Sequence, residues 1–296
     1  MALTYTYDDN SIREDLLDII TNLDPTETQL LSGLGTSTAK ATLHEWLKDT
    51  LKSVSSNSHI EGVDATYPDR TDPERITNHC QIVRVGYDVT DTERAVNNAG
   101  FSDRYTYETT KALKEWKNDA EYALMRGSMA TGTGTAARSL KGIKRFLLSH
   151  NYTNASGISL TETLLNDRFA NVWDDGTQVN ALYVPMYMKR KISGFTAGAT
   201  KNVETTDRRL VNAVDIYQAD AAQNVKLFAH RYVYVSGDTN YDVIGIDEDK
   251  FKVAYLRKPF TRELAKTGDS TKGEVVGELT MECLHQDAGF YAEKML

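Results

Sequence analysis

The order of hydrophobic and polar positions predicts a helix at the start of the chain and strands after it. Residues 11–23 place apolar side chains at helical spacing behind Ser11, and Pro25 ends the run. Two strand-like runs follow, one from about Leu43 to Val54 and a cleaner, alternating one from Val83 to Val89. We expect these two runs to pair with each other.

Between the two runs lies a polar, turn-rich segment, residues 55–79. It is longer than the roughly 12–15 residues beyond which a structureless loop is unusual inside a compact domain. A pair of strands that leads to a long polar tip is typical of an arm that reaches another molecule.

The next pattern predicts a long helix over residues 102–130, with Ser102 as N-cap and Asp103 at the positive helix end. At about 1.5 Å per residue, a helix of about 25 residues is nearly 40 Å long. Lys111 with Glu115, and Lys117 with Glu121, have the spacing of ion pairs on a solvated face. The predicted buried stripe consists of Leu113, Trp116, Ala120, Ala123 and Leu124.

A glycine-rich run, residues 129–142, follows this helix. Gly132, Gly134 and Ala137 fit the dinucleotide spacing G-x-G-x-x-A, so a nucleotide-dependent enzyme is one alternative. That motif must follow a buried strand, however, whereas here a helix precedes it. A flexible link, with Gly127 as the helix C-cap, is the favoured interpretation.

The remainder of the chain mixes helices and strands. A capping box from Ser159 to Glu162 opens a helix that ends at Gly176, and a strand then leads into a helix with Pro185 in its first turn. Because strands and helices do not alternate regularly, the fold class is α+β. Further strands are predicted near residues 225–235, 241–246, 250–256 and 274–284.

Composition narrows the function classes. The 296 residues are 40% hydrophobic and carry a formal net charge of -8, so a protein that grips nucleic acid electrostatically is not expected. The chain contains two cysteines, Cys80 and Cys283, without zinc-site spacing, which favours a reducing compartment. No signal peptide or membrane-spanning run is recognisable, so we expect synthesis in the cytosol and no membrane partner.

No motif in the chain predicts a catalytic site, a cofactor or a metal. Asp238, Asn240, Asp242 and Asp249 have calcium-loop spacing, but Val243 stands where that loop needs glycine, so we expect a hairpin with solvated acids. His44 and Glu45 begin like H-E-x-x-H without the second histidine.

This order of elements resembles the major capsid proteins of tailed bacteriophages with the Hong Kong 97 fold. The segments "DPTETQLLSGLGTSTAKATLHEWLKDTL", "RITNHCQIVRVGYDVTDT" and "LAKTGDSTKGEVVGELTMECLHQDAGFYAEKM" are similar to a phage head-protein family long catalogued as a domain of unknown function. One departure is that "DAAQNVKLFAH" lacks the glycine expected before its strand.

The resemblance implies a division of the chain into parts with separate roles. These are an N-arm at 1–41, an extended loop at 42–91, a peripheral domain at 92–157 with the spine helix at 102–130 and the glycine link at 131–142, an axial domain at 158–245, and a return to the peripheral domain at 246–296.

The resemblance also implies a structural protein rather than an enzyme. Its copies would form hexamers and pentamers of an icosahedral shell around double-stranded DNA, bound without sequence specificity, with a portal and with scaffold or decoration proteins as partners. The protein would be assembled in the host cytoplasm and reside in the virion. A tail-tube or decoration protein, or an enzyme using Gly132 and Gly134, are the alternatives.

We expect the loop to lie over a neighbouring subunit and the N-arm to become ordered on assembly, because neither can bury enough apolar surface alone. The candidate contact residues are Asn57, His59, Glu61, Asp64, Tyr67, Arg70, Glu74, Arg75 and Trp116.

Overall fold

The computed structural model describes residues 28–52, 54–65, 67, 70–96, 103–148, 151–195, 215–221, 224–237 and 240–296. The predicted helix at 11–23 and the predicted cap at Ser102 lie outside these residues. The described residues divide into two compact units. One contains 84–116 and 260–276, and the other contains 28–83, 117–259 and 277–296.

The described residues form helices and strands in an α+β arrangement. The helices are α1 (Gln29–Gly33), α2 (Asp91–Ala95), α3 (Arg104–Arg126), α4 (Ile143–Leu147), α5 (Glu162–Asp174) and α6 (Met186–Ser193). The strands are β1 (Gly35–Thr38), β2 (Leu43–Lys48), β3 (Glu74–His79), β4 (Gln81–Thr90), β5 (Tyr152–Asn154), β6 (Ala181–Val184), β7 (Ile216–Tyr217), β8 (Val225–Ala229), β9 (Val235–Ser236), β10 (Asn240–Ile246), β11 (Phe251–Leu264), β12 (Ser270–Cys283) and β13 (Gly289–Met295).

A seven-stranded mixed sheet lies in the larger unit, in the order β5-β13-β10-β6-β8-β7, with β9 beside β10. Strand β10 is antiparallel to both β13 and β6, and β6 is parallel to β8. Helices α5 and α6 belong to the same core as this sheet, because Phe169, Met188, Leu182 and Val184 form one buried cluster. Burial of each such side chain contributes about 1.5–3 kcal/mol.

Local signals at the ends of these elements differ in part from the predictions. The predicted capping box is wrong: Thr161, rather than Ser159, caps α5 by accepting a hydrogen bond from the backbone N of Leu164 at 3.3 Å. Gly176 follows the helix with a φ of +89°, which favours glycine. Asn224 stands before β8 with a φ of +57°, a conformation that asparagine tolerates, so the expected glycine is not required there.

The second sheet has four strands in the order β1-β11-β12-β4. The predicted pairing of the two early strand-like runs is therefore wrong. Strand β4 lies beside β12, and β2 pairs instead with β3, which lies in the segment predicted to be a loop. The hydrophobic pattern does not predict β3, because only one of its six residues, Ile76, is apolar. Ile76 lies opposite Trp46 in the strand pair.

Helix α3 confirms the predicted long helix and its buried stripe, although it ends at Arg126 rather than at residue 130. Asp103 is the cap, since its carboxylate accepts hydrogen bonds from the backbone N atoms of Tyr105 and Thr106. The hydroxyl of Thr106 also donates to this carboxylate and holds the pKa of Asp103 below its usual value. Trp116, Ala120, Ala123 and Leu124 are buried, and Leu113 is half-buried.

Glu121 does not lie on a solvated face, and its predicted pairing with Lys117 is wrong. Its fully buried carboxylate accepts hydrogen bonds from the backbone N atoms of Leu30 and Leu31 at 2.7 and 2.8 Å, and lies 2.8 Å from Nε2 of His230. The backbone N of Tyr232 donates to Nδ1 of His230, so Nε2 carries the proton that Glu121 accepts. One carboxylate thus joins α3 to the first turn of α1 and to the end of β8.

The glycine-rich run is a closed loop rather than a flexible link. Ala130 and Ser139 form an antiparallel bridge, and the backbone N of Gly142 donates to the carbonyl of Gly127 at 3.0 Å. The run follows α3, so the strand that a dinucleotide fingerprint requires does not precede it. Gly132 has a φ of +77°, which turns the chain within the loop.

We predict that Glu121→Ala lowers the free energy of unfolding by about 3 kcal/mol, because three donors, two of them in fully buried hydrogen bonds, lose their acceptor. Chemical denaturation measures the change. The matched control is Glu115→Ala, which removes only an exposed carboxylate 3.9 Å from Lys111 and should change stability by less than about 0.5 kcal/mol. Equal effects of the two substitutions would contradict the assignment.

We predict that Gly127→Ala destabilises the protein by about 2 kcal/mol, because its Cβ would lie 2.5 Å from the carbonyl oxygen of Ala123 and 2.6 Å from that of Leu140. Gly134→Ala is the control, since nothing lies within 4 Å of its added Cβ. Thermal unfolding compares the two variants, and a flexible link would tolerate both substitutions alike.

Candidate subunit interface

The strands β2 and β3 form an antiparallel pair that we call the extended hairpin, residues 43–79. The register runs from Leu43 opposite His79 to Lys48 opposite Glu74. Residues 49–73, the hairpin tip, connect the two strands, and no helix or strand is formed by those of them that the structure describes. This strand pair lies within the segment assigned to the extended loop at 42–91, and the role of that segment as an arm that reaches another molecule stays a prediction.

A buried asparagine, Asn78, connects the base of the hairpin to other segments of the larger unit by hydrogen bonds. Nδ2 of Asn78 donates to the carbonyl oxygens of Lys141 and Met281 at 3.0 and 2.7 Å. Its Oδ1 accepts from the backbone N atoms of Lys141 and His79 at 2.7 and 2.9 Å. The side-chain amide thus has four hydrogen bonds to backbone groups, which is its full capacity.

Trp46 makes a second attachment at the base. Its Nε1 donates to the carbonyl oxygen of Cys283 at 2.7 Å, and its ring lies against that of Phe146 with centroids 6.3 Å apart. Nζ of Lys48 lies 3.7 Å from the carboxylate of Asp287. These contacts fix where the hairpin leaves the body.

The hairpin tip exposes large apolar side chains. Natural monomers seldom present a cluster of such side chains to water, and exposed clusters mark sites of protein contact. No core residue of the described chain covers these side chains. Their exposed fractions lie between 60% and 103%: Leu51, Val54, Ile60, Val63 and Tyr67.

The structure places eight of the nine predicted contact residues on this hairpin and the ninth elsewhere. Asn57 and His59 contact each other, with Oδ1 and Nε2 2.7 Å apart, and Arg75 lies 3.5 Å from Glu45 across the strand pair. The exposed residues of the set are Asn57, His59, Glu61, Asp64, Tyr67, Arg70, Glu74 and Arg75.

Trp116 requires a correction. Its side chain is only 1% exposed, so its ring packs inside the protomer and has no surface to offer a neighbour. Of the apolar tip residues, Tyr67 was predicted from the sequence as a contact residue, whereas Leu51, Val54, Ile60 and Val63 were missed. The sequence signal that could have identified them is the recurrence of large apolar side chains within an otherwise polar run, because a solvated loop does not need such side chains.

The described residues hold no group of three or more histidine, cysteine or acidic side chains arranged to bind a metal ion. The expectation of solvated acids at 238–249 is wrong for Asp242, which is fully buried and accepts hydrogen bonds from the hydroxyl of Tyr291 and the backbone N of Lys294. Burial raises the pKa of Asp242 above its usual value.

The two thiols are free and buried. Burial raises the pKa of Cys80 to about 11 and that of Cys283 to about 12, so both are neutral and unreactive near pH 7. Among the described helices, none is long and apolar enough to cross a bilayer. The extended hairpin therefore remains the strongest candidate for a functional surface.

Comparison with known proteins gives consistent matches to phage shell proteins. A family model described as SU10 major capsid protein matches residues 2–294. The major capsid protein of Escherichia phage Phieco32 is 31% identical over 131 residues, which is 44% of this chain. The match spans only 37% of the length of that curated relative.

Solved structures show the same fold at low identity. A chain from Microbacterium phage Oxtober96 is 13% identical with a TM-score of 0.65, covering 96% of both chains. The capsid of an empty GTA particle gives 11% identity, a TM-score of 0.67 and full coverage of both chains. The SrpI encapsulin complex of Synechococcus elongatus PCC 7942 gives 11% identity, a TM-score of 0.62, and coverage of 100% and 96%.

We predict that Asn78→Ala releases the base of the extended hairpin, because two carbonyl groups and two backbone N–H groups lose their partners. Hydrogen exchange at residues 43–48 should accelerate roughly a hundredfold, equivalent to about 3 kcal/mol of local stability. Asn57→Ala, on the exposed tip, should leave exchange at 43–48 unchanged. Unchanged hydrogen exchange at 43–48 in both variants would show that Asn78 does not hold the base of the hairpin in place.

Proposed function

The chain belongs to the SU10 major capsid protein family, and we propose that its copies assemble as pentamers and hexamers into an icosahedral head shell that encloses viral double-stranded DNA. The family model spans nearly the whole chain, and the fold is of the Hong Kong 97 type. The protein is therefore a phage major capsid protein that belongs in the virion. The capsomer types and the enclosed DNA are part of the proposal.

The observation that supports the mode of assembly most strongly is the hairpin tip. At the base of the hairpin the buried side-chain amide of Asn78 makes its full set of hydrogen bonds, whereas no described residue covers the apolar side chains of the tip. A closed shell needs contacts between different surfaces of identical subunits. We infer that the tip of each copy lies on a neighbouring copy and buries Leu51, Val54, Ile60, Val63 and Tyr67 there.

The polar members of the tip would then form the rim of this contact. Protein interfaces have an apolar centre and a polar rim that excludes water from it. Glu61, Asp64, Arg70 and the Arg75–Glu45 pair supply both signs of charge along the hairpin. Such charges contribute mainly to register and specificity, whereas the apolar residues contribute most of the affinity.

The charge of the chain fits a container for DNA. A net charge of -8 weakens binding to phosphate, so the wall would not hold the genome against packing and release. We further propose that shells assemble in the host cytoplasm around a portal, with scaffold or decoration proteins as additional partners, and that DNA is enclosed without sequence-specific contacts.

We predict that the double substitution Ile60→Ser and Tyr67→Ser leaves the melting temperature of the isolated subunit unchanged and abolishes shells. Each lost apolar contact weakens association by about 2 kcal/mol, roughly thirtyfold per contact. Electron microscopy and sedimentation of purified protein give the shell yield. The control is Val96→Ser, which removes an exposed apolar residue outside the hairpin.

Two results would contradict different parts of the proposal. Shells of the double variant at the wild-type yield would show that the tip does not hold neighbours together. Wild-type protein that forms only compact small oligomers, with or without duplex DNA, would contradict the shell itself.

A further inference from the structure

A surface cleft of about 470 Å³ lies where α5 ends, beside the end of β10. It is formed by the turn between α5 and β6 together with the residues that follow β10. Its lining residues all belong to the larger unit, and none of them belongs to the extended hairpin. The lining residues are Trp173, Gly176, Thr177, Gln178, Asp247 and Lys250.

The wall of this cleft is an exposed tryptophan. Helix α5 directs Leu165, Phe169 and Val172 into the core, and Trp173, one position later, faces outward with 56% of its surface exposed. Helical spacing alone would place Leu165, Phe169 and Trp173 on one buried stripe, but Trp173 is exposed while the other two residues are buried. A half-exposed tryptophan beside a cavity is the residue type that most often dominates the energy of a protein contact.

The surroundings of the cleft are mainly acidic. Asp174 and Asp175 follow the tryptophan, both exposed, at the negative end of the α5 dipole. Asp247 accepts hydrogen bonds from Nδ2 of Asn180 at 2.9 Å and from the backbone N of Asp249 at 3.2 Å. Asp249 is itself exposed, so these four carboxylates outweigh Lys250 and favour a cationic occupant.

A surface of complementary character lies on α6. We call Met186, Tyr187 and Arg190 the α6 patch. Met186 is 63% exposed, and the ring of Tyr187 stacks on that of Tyr241 with centroids 4.6 Å apart. Met186 and Arg190 are four residues apart and share a face of the helix.

Arg190 differs from the two lysines that flank it. Lys189 contacts Asp215 at 2.9 Å, and Lys191 contacts the hydroxyl of Ser159 at 2.6 Å. The residues that the structure describes provide no ion pair or hydrogen bond for Arg190, which is exposed. Its guanidinium is thus available to a second molecule.

The cleft and the α6 patch lie at opposite ends of the same strands. Ala181 pairs with Ile246 at the end of β6 where Gln178 and Asp247 line the cleft. Strand β6 then runs away from the cleft to Val184, beyond which α6 begins. Two different patches at opposite ends of a domain make a head-to-tail contact, which is the kind that closes rings of identical subunits.

We propose that the cleft of one copy receives the α6 patch of the next copy, with the Arg190 guanidinium against the Trp173 ring and the surrounding carboxylates, and with Met186 on the apolar rim. This rests on the proposed shell function and assigns two matching surfaces for the contact within a capsomer. Planar guanidinium groups stack on aromatic rings and pair with carboxylates, so one side chain satisfies both features of the cleft.

A charge-reversal series tests the pairing. Arg190→Glu should lower the shell yield roughly tenfold or more, because it brings like charges together at the cleft. Asp174→Lys combined with Arg190→Glu should recover part of that loss, whereas Lys114→Glu, an exposed control of equal charge change on α3, should keep the wild-type yield. Circular dichroism and melting of each subunit confirm that the variants fold.

Disulfide cross-linking tests directly whether the two surfaces of neighbouring copies are in contact. Shells of the variant Gln178→Cys with Arg190→Cys, after mild oxidation, should give a ladder of linked subunits on a denaturing gel, and each single variant should give none. The two native thiols are buried and do not contribute.

The outcomes distinguish this inference from the shell proposal. Wild-type shells together with unchanged yields for Arg190→Glu and Trp173→Ala, and with no ladder, would overturn the pairing and leave the shell intact. A wild-type protein that forms no shell would fail the proposed function first.

Discussion

The structure depends on one imbalance: the base of the hairpin is attached to the rest of the larger unit through buried polar contacts, whereas its tip leaves large apolar side chains exposed. Three hydrogen bonds between Asn78 and the backbone of Lys141 and Met281, together with one from the indole of Trp46, hold the base, so the hairpin cannot fold back without losing them. The tip meanwhile exposes apolar side chains to water. Burying them against another surface would contribute about 25 cal/mol of free energy per Å² of apolar area. Association with a neighbouring copy is the physical resolution of this imbalance.

Buried polar groups also connect separate segments elsewhere in the larger unit. Glu121 joins three separate segments, α3, α1 and the end of β8, through the N–H groups of α1 and the ring of His230. Asp242 joins β10 to β13 through Tyr291 and Lys294. Such groups are costly when any partner is lost, so they specify one arrangement more strongly than apolar packing does. In a shell subunit this matters because a neighbour must find each projecting surface in a fixed direction.

The sequence predicted those elements whose pattern has a single physical interpretation. The apolar stripe from Trp116 to Leu124 could only be a buried helix face, and the order of segments identified the fold. Prediction from the sequence failed where one residue pattern is compatible with two different structures. The spacing of Lys117 and Glu121 suits a solvated ion pair and equally a buried acceptor, and the polar residues of β3 resembled a loop. The closed glycine loop and the Trp173 cleft depend on contacts between residues distant in sequence, which no local pattern contains.

The most direct test of this account is hydrogen exchange at residues 49–73, measured on isolated subunits and on purified shells. If the tip is completed by a neighbouring copy, its amides should exchange rapidly in the subunit and become protected in the shell, while exchange at 43–48 and 74–79 stays slow in both states. Equal protection of the tip in subunits and shells would contradict the central claim.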